Sequence, residues 1–216
     1  MENKSAYSSL GVLLPDIFPR FSYFHNKFFL RFDVSKLSIE EEEIWRGITV
    51  HYSDDIFFHE STFFKHGMQR IEEEMKKDPC LSNLKRKYLI SHVLYELILD
   101  HLIIQRFPNI VYEIYNHLEV ADIGVLNSFL TKIIGEINDI QVFLESFNRF
   151  LNRRFLNFYK VDCNLVKSLH MVSGKISQWE YNDLMVDKFT EIIRKMKNEI
   201  DFDEVFDSIL KHKEIA

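Results

Sequence analysis

Residues 47–59 read GITVHYSDDIFFH, an apolar and aromatic run that is interrupted at a regular interval by His51, Asp55 and His59. A step of four residues along an α-helix advances about 400°, so these three side chains drift by only about 40° per step and share one face. Burying two imidazoles and a carboxylate among aromatic rings is costly unless something pairs with them. The pattern therefore predicts a helix whose polar face either binds a divalent metal ion or closes into a hydrogen-bond network.

A second stretch, residues 91–101, repeats this spacing in the sequence SHVLYELILDH, with His92, Glu96 and Asp100 again four residues apart. The residues around them are strongly apolar, which predicts a long helix, from about residue 81 to residue 107, that is buried nearly all round. A lone polar residue in such a helix is usually a core group with one satisfied partner. Two helices with matching polar faces are less often chance, and the pair favours a metal site.

The composition predicts an all-α fold, a single-domain helical bundle over residues 1–216. Hydrophobic residues make up 46% of the chain and aromatic residues 14%, which is ample material for a core. The chain has 20 Phe against 6 Gly and 4 Pro, a balance that favours long helices over a turn-rich β architecture. The net charge of −6 argues against nonspecific nucleic-acid binding, because such binding needs a basic surface.

Cysteine usage and hydropathy predict a cytoplasmic protein without a membrane span. The two cysteines, Cys80 and Cys163, provide neither a disulfide framework nor a CxxC metal motif. The residues after Met1 lead into no apolar core with a cleavage site, so no signal peptide is expected. The most apolar stretch, residues 93–104, is interrupted by charged groups and is shorter than the roughly 18 residues of a membrane helix.

Capping signals predict several helix ends. Residues 38–41, SIEE, form a capping-box pattern, and the helix that follows is expected to run through Gly47 and to end near Gly67. Gly47 inside this helix costs about 1 kcal/mol relative to alanine unless it permits close packing. A charged amphipathic helix comes next, and Asp78 followed by Pro79 is expected to stop it and to cap the following helix.

Near the N-terminus, Pro15 and Pro19 are expected to end or kink any helix that forms there, which leaves Asp16 at a bend. Aspartate at such a bend is most often a cap or a turn former. The alternative is a metal ligand, and the residues alone leave both roles open for Asp16.

Three stretches resemble the acyl carrier protein phosphodiesterase family, small helical hydrolases related to the HD-domain phosphohydrolases. Residues 10–18, LGVLLPDIF, look like the family's early glycine-to-aspartate segment, and residues 47–55 are similar to its helix with a glycine, a histidine and then an aspartate. Residues 92–96, HVLYE, fall where the family has two aspartates before a histidine. The resemblance covers about the first half of the chain. It implies an HD-domain-like fold and cleavage of the phosphopantetheine linkage of acyl carrier protein.

A weaker likeness is to zinc-dependent phospholipase C and related nucleases, which also place a His-x-x-x-Asp helix and a later His-x-x-x-Glu helix around a metal cluster. His51 and Asp55 match the first spacing, and His92 and Glu96 match the second. Asp16, directly after a proline, fits the position of a bridging carboxylate. This likeness also implies hydrolysis of a phosphodiester at a divalent metal site.

Both likenesses imply the same chemistry. Phosphodiester hydrolysis needs a water ionised near neutral pH and positive charge beside the phosphoryl oxygens, and one or two ions of Mn, Zn or Mg supply both. The implied metal ligands are Asp16, His51, Asp55, His92 and Glu96. The implied catalytic residues, which orient a ligand or transfer a proton one turn further along each helix, are His59 and Asp100. The residues implied to contact a phosphate or the acidic carrier protein are Lys85, Arg86 and Lys87, although such basic runs are more often a solvated helix face.

A hypothesis from a different class remains open at this stage. The chain would then be a non-enzymatic helical binding protein that keeps the fold and has lost the chemistry. This hypothesis predicts that direct hydrogen bonds between histidines and carboxylates close the two polar faces.

Overall fold

The computed structural model describes residues 5–17, 32–134 and 137–215. Within these ranges the protein has twelve α-helices and no strand, so the predicted all-α fold is confirmed. No helix in the described ranges combines the length and the apolar character that crossing a bilayer requires. The helices in chain order are α1 (Ala6–Ile17), α2 (Ile39–Glu60), α3 (Thr62–Lys77), α4 (Pro79–Ser82), α5 (Lys87–Arg106), α6 (Ile110–Val120), α7 (Ile123–Ile134), α8 (Ile137–Arg153), α9 (Asp162–Leu169), α10 (Lys175–Ser177), α11 (Asp183–Glu199) and α12 (Phe202–Ile215).

The helices divide into two compact units, each built from two separate segments of the chain. The first unit comprises Met1–Asp55 and Ile110–Phe155, and the second comprises Ile56–Asn109 and Leu156–Ala216. Helix α2 begins in the first unit, and its last residues belong to the second. The expectation of one domain over residues 1–216 stays a prediction.

In the first unit, α1 and α2 pack with their backbones in direct contact. A Cβ atom added to Gly11 would lie 2.2 Å from the carbonyl oxygen of Ile44, and one added to Gly47 would lie 2.3 Å from that of Ser8. A methyl group at either glycine would therefore push the two helices apart. This close approach explains why α2 tolerates Gly47 in its interior despite the low helix propensity of glycine.

The predicted capping box at the start of α2 is present and extends into a buried polar cluster. The Oγ of Ser38 accepts a hydrogen bond from the Glu41 amide at 3.3 Å, and the Glu41 carboxylate accepts one from the Ser38 amide at 2.7 Å. The buried Glu41 carboxylate also accepts hydrogen bonds from Ser128 at 2.7 Å and from the Lys132 ammonium at 2.6 Å. Burial raises the pKa of Glu41, but these hydrogen bonds and the Lys132 charge outweigh it and hold the pKa below its ordinary value.

In the second unit, α5 is the central pillar that the sequence predicts, but it begins at Lys87 and not near residue 81. The short helix α4 ends at Ser82, and a turn closed by the hydrogen bonds of Lys87 to the carbonyl oxygens of Ser82 and Leu84 separates it from α5. The apolar residues of α5 are buried nearly all round, and it packs against α3, α9 and α11. The contact with α3 is closest at Gly67, where an added Cβ would lie 2.1 Å from the Cζ of Tyr95. The helix stop at Asp78 and Pro79 is also confirmed, because the Asp78 carboxylate accepts hydrogen bonds from the amides of Cys80 and Leu81 at the start of α4.

The structure differs from the sequence-based prediction where α2 ends. The helix stops at Glu60 rather than near Gly67, and α3 begins at Thr62. Ser61 causes the break, because its backbone is extended and its Oγ accepts a hydrogen bond from the Phe64 amide at 3.2 Å. Gly67 therefore lies inside α3, where it permits the close contact with α5.

A second difference concerns Pro15. The proline lies inside α1, and Asp16 belongs to the last turn of that helix and not to a bend. Proline removes one hydrogen bond to the preceding turn, and because only two helical residues follow it, the helix loses little. Pro19 lies outside the described residues.

Candidate metal centre

Three side chains in the second unit come together from two helices. His59 lies in the last turn of α2, and His92 and Glu96 lie one turn apart on α5. The four-residue spacing on α5 places the imidazole and the carboxylate on one face, as helix geometry requires. We refer to His59, His92 and Glu96 as the His–His–Glu cluster.

The cluster is organised around one carboxylate oxygen. The Nε2 atoms of His59 and His92 each lie 3.0 Å from Oε1 of Glu96. The centroids of the two imidazole rings are 4.7 Å apart, with 31° between the ring planes. Because a carboxylate only accepts hydrogen bonds, each Nε2 must carry a proton in this arrangement. A metal ion bound by the same three side chains would take the place of those two protons.

Aromatic packing holds the two imidazoles in position. The buried ring of Phe64 lies edge-on to His59 at 4.8 Å and to His92 at 5.1 Å, measured between ring centroids. Tyr95 lies against Phe64 at 5.6 Å and covers Gly67, which brings α3 close enough to α5 for these contacts. Phe64 is positioned in turn by the Ser61 cap one turn earlier. The break between α2 and α3 thus fixes the placement of the cluster.

The cluster is partly open to solvent. The exposed fractions of the side chains are 28% for His59, 25% for His92 and 36% for Glu96. The cluster is therefore in contact with solvent, and Phe64 packs edge-on against both imidazoles. In this it differs from a fully buried ion pair, whose charges are removed from water.

Electrostatics keep the carboxylate ionised. Partial burial raises the pKa of Glu96, but the hydrogen bonds from His59 and His92 and the charge of the imidazoles outweigh it, so the pKa lies below the ordinary value. Burial raises the pKa of the neighbouring Tyr95 to about 12, so its phenol stays protonated at neutral pH and is no base. Glu96 is therefore anionic at neutral pH.

The donor set fits a divalent transition metal. Two imidazole nitrogens and one carboxylate oxygen lie within 4.8 Å of one another, and no other group of three in the described ranges meets this condition. Zinc binds such nitrogen and oxygen atoms at about 2.0–2.2 Å, so the three atoms need only small rotations to surround an ion. Three protein ligands leave coordination positions free for water or substrate.

The ligands predicted from the sequence are only partly brought together here. His92 and Glu96 belong to the cluster, and its third member is His59, which the sequence assigned to ligand orientation or proton transfer. Asp100, one turn after Glu96, is exposed and is not part of the cluster. Its predicted catalytic role stays a prediction.

The other predicted ligands lie in the first unit. The Nε2 of His51 is 3.8 Å from the Oδ1 of Asp16, and the His51 side chain is mostly buried whereas Asp16 is exposed. Burial raises the pKa of the adjacent Tyr52 to about 12, and the charges of Asp55 and Asp16 add to this shift. These contacts form a local polar group, and the assignment of Asp16, His51 and Asp55 as metal ligands stays a prediction.

Two of the predicted basic residues make structural contacts. The Lys87 ammonium donates hydrogen bonds to the carbonyl oxygens of Ser82 at 2.7 Å and Leu84 at 3.3 Å, which closes the turn before α5. The Lys85 ammonium donates one to the side chain of Gln178 at 2.5 Å. Arg86 is exposed and adopts a left-handed backbone conformation with φ of 51°. The role of Lys85, Arg86 and Lys87 in substrate binding stays a prediction.

The sequence reasoning missed a second histidine on α5. His101 is 1% exposed, and its Nδ1 donates a hydrogen bond to the carbonyl oxygen of Tyr159 at 2.6 Å. Its Nε2 lies 3.4 Å from the Oδ1 of Asp162, a carboxylate that also accepts a hydrogen bond from Lys197 at 2.9 Å. The only signal in the sequence was a histidine directly after Asp100 on the apolar helix, and nothing nearby pointed to Asp162.

Comparison of the chain with protein-family models, with curated proteins and with solved structures finds no match.

Proposed function

We propose that this protein is a metal-dependent phosphodiesterase whose divalent ion is bound by His59, His92 and Glu96. The observation that carries the proposal is the convergence of two imidazole Nε2 atoms on one carboxylate oxygen at 3.0 Å, in a partly exposed position. Two nitrogens and one oxygen are a common ligand set of catalytic metal sites in hydrolases. The phosphodiester substrate rests on the two resemblances read from the sequence, with acyl carrier protein as the partner that the stronger one implies.

The chain's own residues supply binding and orientation at this site. A bound ion would polarise a phosphoryl oxygen and lower the pKa of a coordinated water. Glu96 contributes the negative charge that balances the ion, and the two imidazoles contribute neutral donors. Phe64 packs edge-on against both imidazoles and Tyr95 packs against Phe64, so these rings hold the donor atoms in position.

The donor types favour zinc over magnesium. Imidazole suits zinc and related transition metals, whereas magnesium prefers an all-oxygen environment with several waters. A reducing, cytoplasmic location is part of the proposal, since Cys80 and Cys163 are both free and exposed.

A second candidate is a non-enzymatic helical binding protein, and one observation favours it. Both imidazole-to-carboxylate distances have the length of direct hydrogen bonds, which is the closed network that this hypothesis predicts. In that case Glu96 is satisfied by the two histidines alone and needs no ion. The two candidates make opposite predictions about metal content.

The deciding experiment is elemental analysis of protein purified without chelators or added metal. We expect about one zinc or manganese per chain in the parent protein, loss of that metal in His92→Ala, and retention in His66→Ala, which replaces an exposed histidine of α3 in the same unit. Circular dichroism of each variant checks that the helices remain folded. Absence of metal from the parent, persisting after incubation with zinc, manganese and magnesium, would support the binding protein instead.

The same measurement of metal content distinguishes the His–His–Glu cluster from the ligand set that the sequence predicts. His51→Ala should keep the metal if His59, His92 and Glu96 are the ligands, and should lose it if His51 is one of them. Metal-loaded protein is then screened against phosphodiesters, starting with the phosphopantetheinyl carrier protein and an activated aryl phosphodiester. If the metal-loaded protein cleaves none of these compounds, the proposed metal site still stands, but the proposed hydrolase activity does not.

A further inference from the structure

The aromatic rings around His92 differ in their exposure. Phe64 and Tyr95 are buried, and Phe64 lies edge-on to both imidazoles of the His–His–Glu cluster. Tyr88, one helical turn before His92 on α5, is 67% exposed, and its ring centroid lies 6.2 Å from that of His92. Tyr88 is therefore far more exposed than Phe64 and His59, whose rings also lie against His92.

The position of Tyr88 relative to the donor atoms is set by helix geometry. Residues four apart on a helix lie on the same face and are separated by about 6 Å along the axis. A molecule with its phosphate at the cluster can therefore place its next group along α5 beside Tyr88. The ring planes of Tyr88 and His92 are tilted by 48°, so the two rings do not stack on each other and the Tyr88 face stays available.

We propose that Tyr88 is a stacking platform that selects phosphoryl compounds whose phosphate carries a planar aromatic or heteroaromatic ring, a nucleotide being the natural representative. The inference rests on the proposed metal-dependent function, because the ion anchors the phosphate. The 6.2 Å between the ring centroids of His92 and Tyr88 is comparable to the span of the sugar that separates phosphate and base in a nucleotide. An aliphatic phosphodiester such as a phosphopantetheine linkage offers no ring to this residue.

The test measures binding and does not depend on turnover. The metal content of each protein is determined first, and isothermal titration calorimetry then compares adenosine 5′-monophosphate with ribose 5-phosphate on the metal-loaded protein. We expect the nucleotide to bind about 5-fold to 100-fold more tightly, the range that one base–aromatic stack supplies. Tyr88→Ala should remove this preference and leave ribose 5-phosphate binding and metal content unchanged, whereas Tyr88→Phe should keep the preference.

A matched control is Tyr112→Ala, because Tyr112 is also 67% exposed and lies on α6 of the first unit. This variant should behave like the parent. Equal affinity of the parent for the two phosphates, or a preference that survives in Tyr88→Ala, would overturn the platform while leaving the metal site in place. A parent protein that takes up no metal would instead overturn the proposed function, and this inference with it.

Discussion

Helix α5 takes part in two histidine–carboxylate clusters that differ in exposure and in the partners of their carboxylates. Near the start of the helix, His92 and His59 share one oxygen of Glu96, and a quarter to a third of each side chain is exposed. Near its end, His101 is fully buried, bonded to the Tyr159 carbonyl, and faces Asp162, whose carboxylate also pairs with Lys197. The residue types are alike, but only the first cluster is accessible to an ion.

The difference teaches that spacing on one helix does not identify a ligand. The Nδ1 of His101 donates to a carbonyl oxygen, its Nε2 faces a carboxylate that Lys197 already pairs with, and the whole ring is buried. A histidine is instead a candidate ligand when its nitrogen faces an accessible carboxylate that no lysine or arginine neutralises. On this basis the upstream cluster is the candidate metal site, and the downstream one joins α5 to the start of α9 and to the segment before it.

The largest expected effect is on metal binding. Glu96→Gln removes the anionic ligand, and we expect the affinity for zinc or manganese to fall by at least about 100-fold. Asp162→Asn, the matched change at the buried cluster, should leave the affinity within about 2-fold of the parent. Competition with a chromophoric chelator measures both. Similar losses in the two variants would contradict the distinction drawn between the clusters.

An effect of intermediate size is expected on stability. His101→Ala removes a fully buried ring and leaves the Tyr159 carbonyl without its donor, which should lower the free energy of unfolding by about 2–4 kcal/mol. In metal-free protein His92→Ala, at a partly exposed site, should cost about 1 kcal/mol. Urea unfolding followed by circular dichroism compares them. If His92→Ala lowers the free energy of unfolding more than His101→Ala does, the upstream cluster and not the buried one has the structural role.

The smallest effect is expected on the pH dependence of stability in metal-free protein. The pKa of Glu96 is lowered in the folded state, so its contribution is fully present above the ordinary glutamate pKa of about 4.3 and is lost as pH falls through the lowered value. With a chelator present, the parent should therefore lose more stability than Glu96→Gln between about pH 5 and pH 3. The free energy of unfolding of both proteins is measured by urea unfolding over this pH range. Equal losses in the two proteins would show that the imidazoles do not stabilise the ionised Glu96.

Much of the fold follows from local signals in the sequence. The capping box at Ser38, the stop at Asp78 and the apolar run that forms α5 are all present as predicted, because each depends on residues within a turn or two of one another. The predicted end of α2 is wrong. The sequence pattern indicates a helix stop at Gly67, whereas in the structure Ser61 caps α3 and Gly67 permits the contact with Tyr95. A glycine signal is ambiguous because close packing and helix termination both call for a residue without a side chain.

The sequence by itself determined that the protein is helical and that His92 and Glu96 face the same way, since residues four apart on a helix are neighbours whatever the rest of the chain does. Only the tertiary structure decided that His59, 37 residues before Glu96, meets the same oxygen, and that Asp162 lies beside His101. These pairings depend on where α2 ends and on which helices pack against α5. The packing of these helices is determined by the burial of apolar surface between residues that are far apart in the chain. The residues next to the histidines carry no periodic pattern that indicates it.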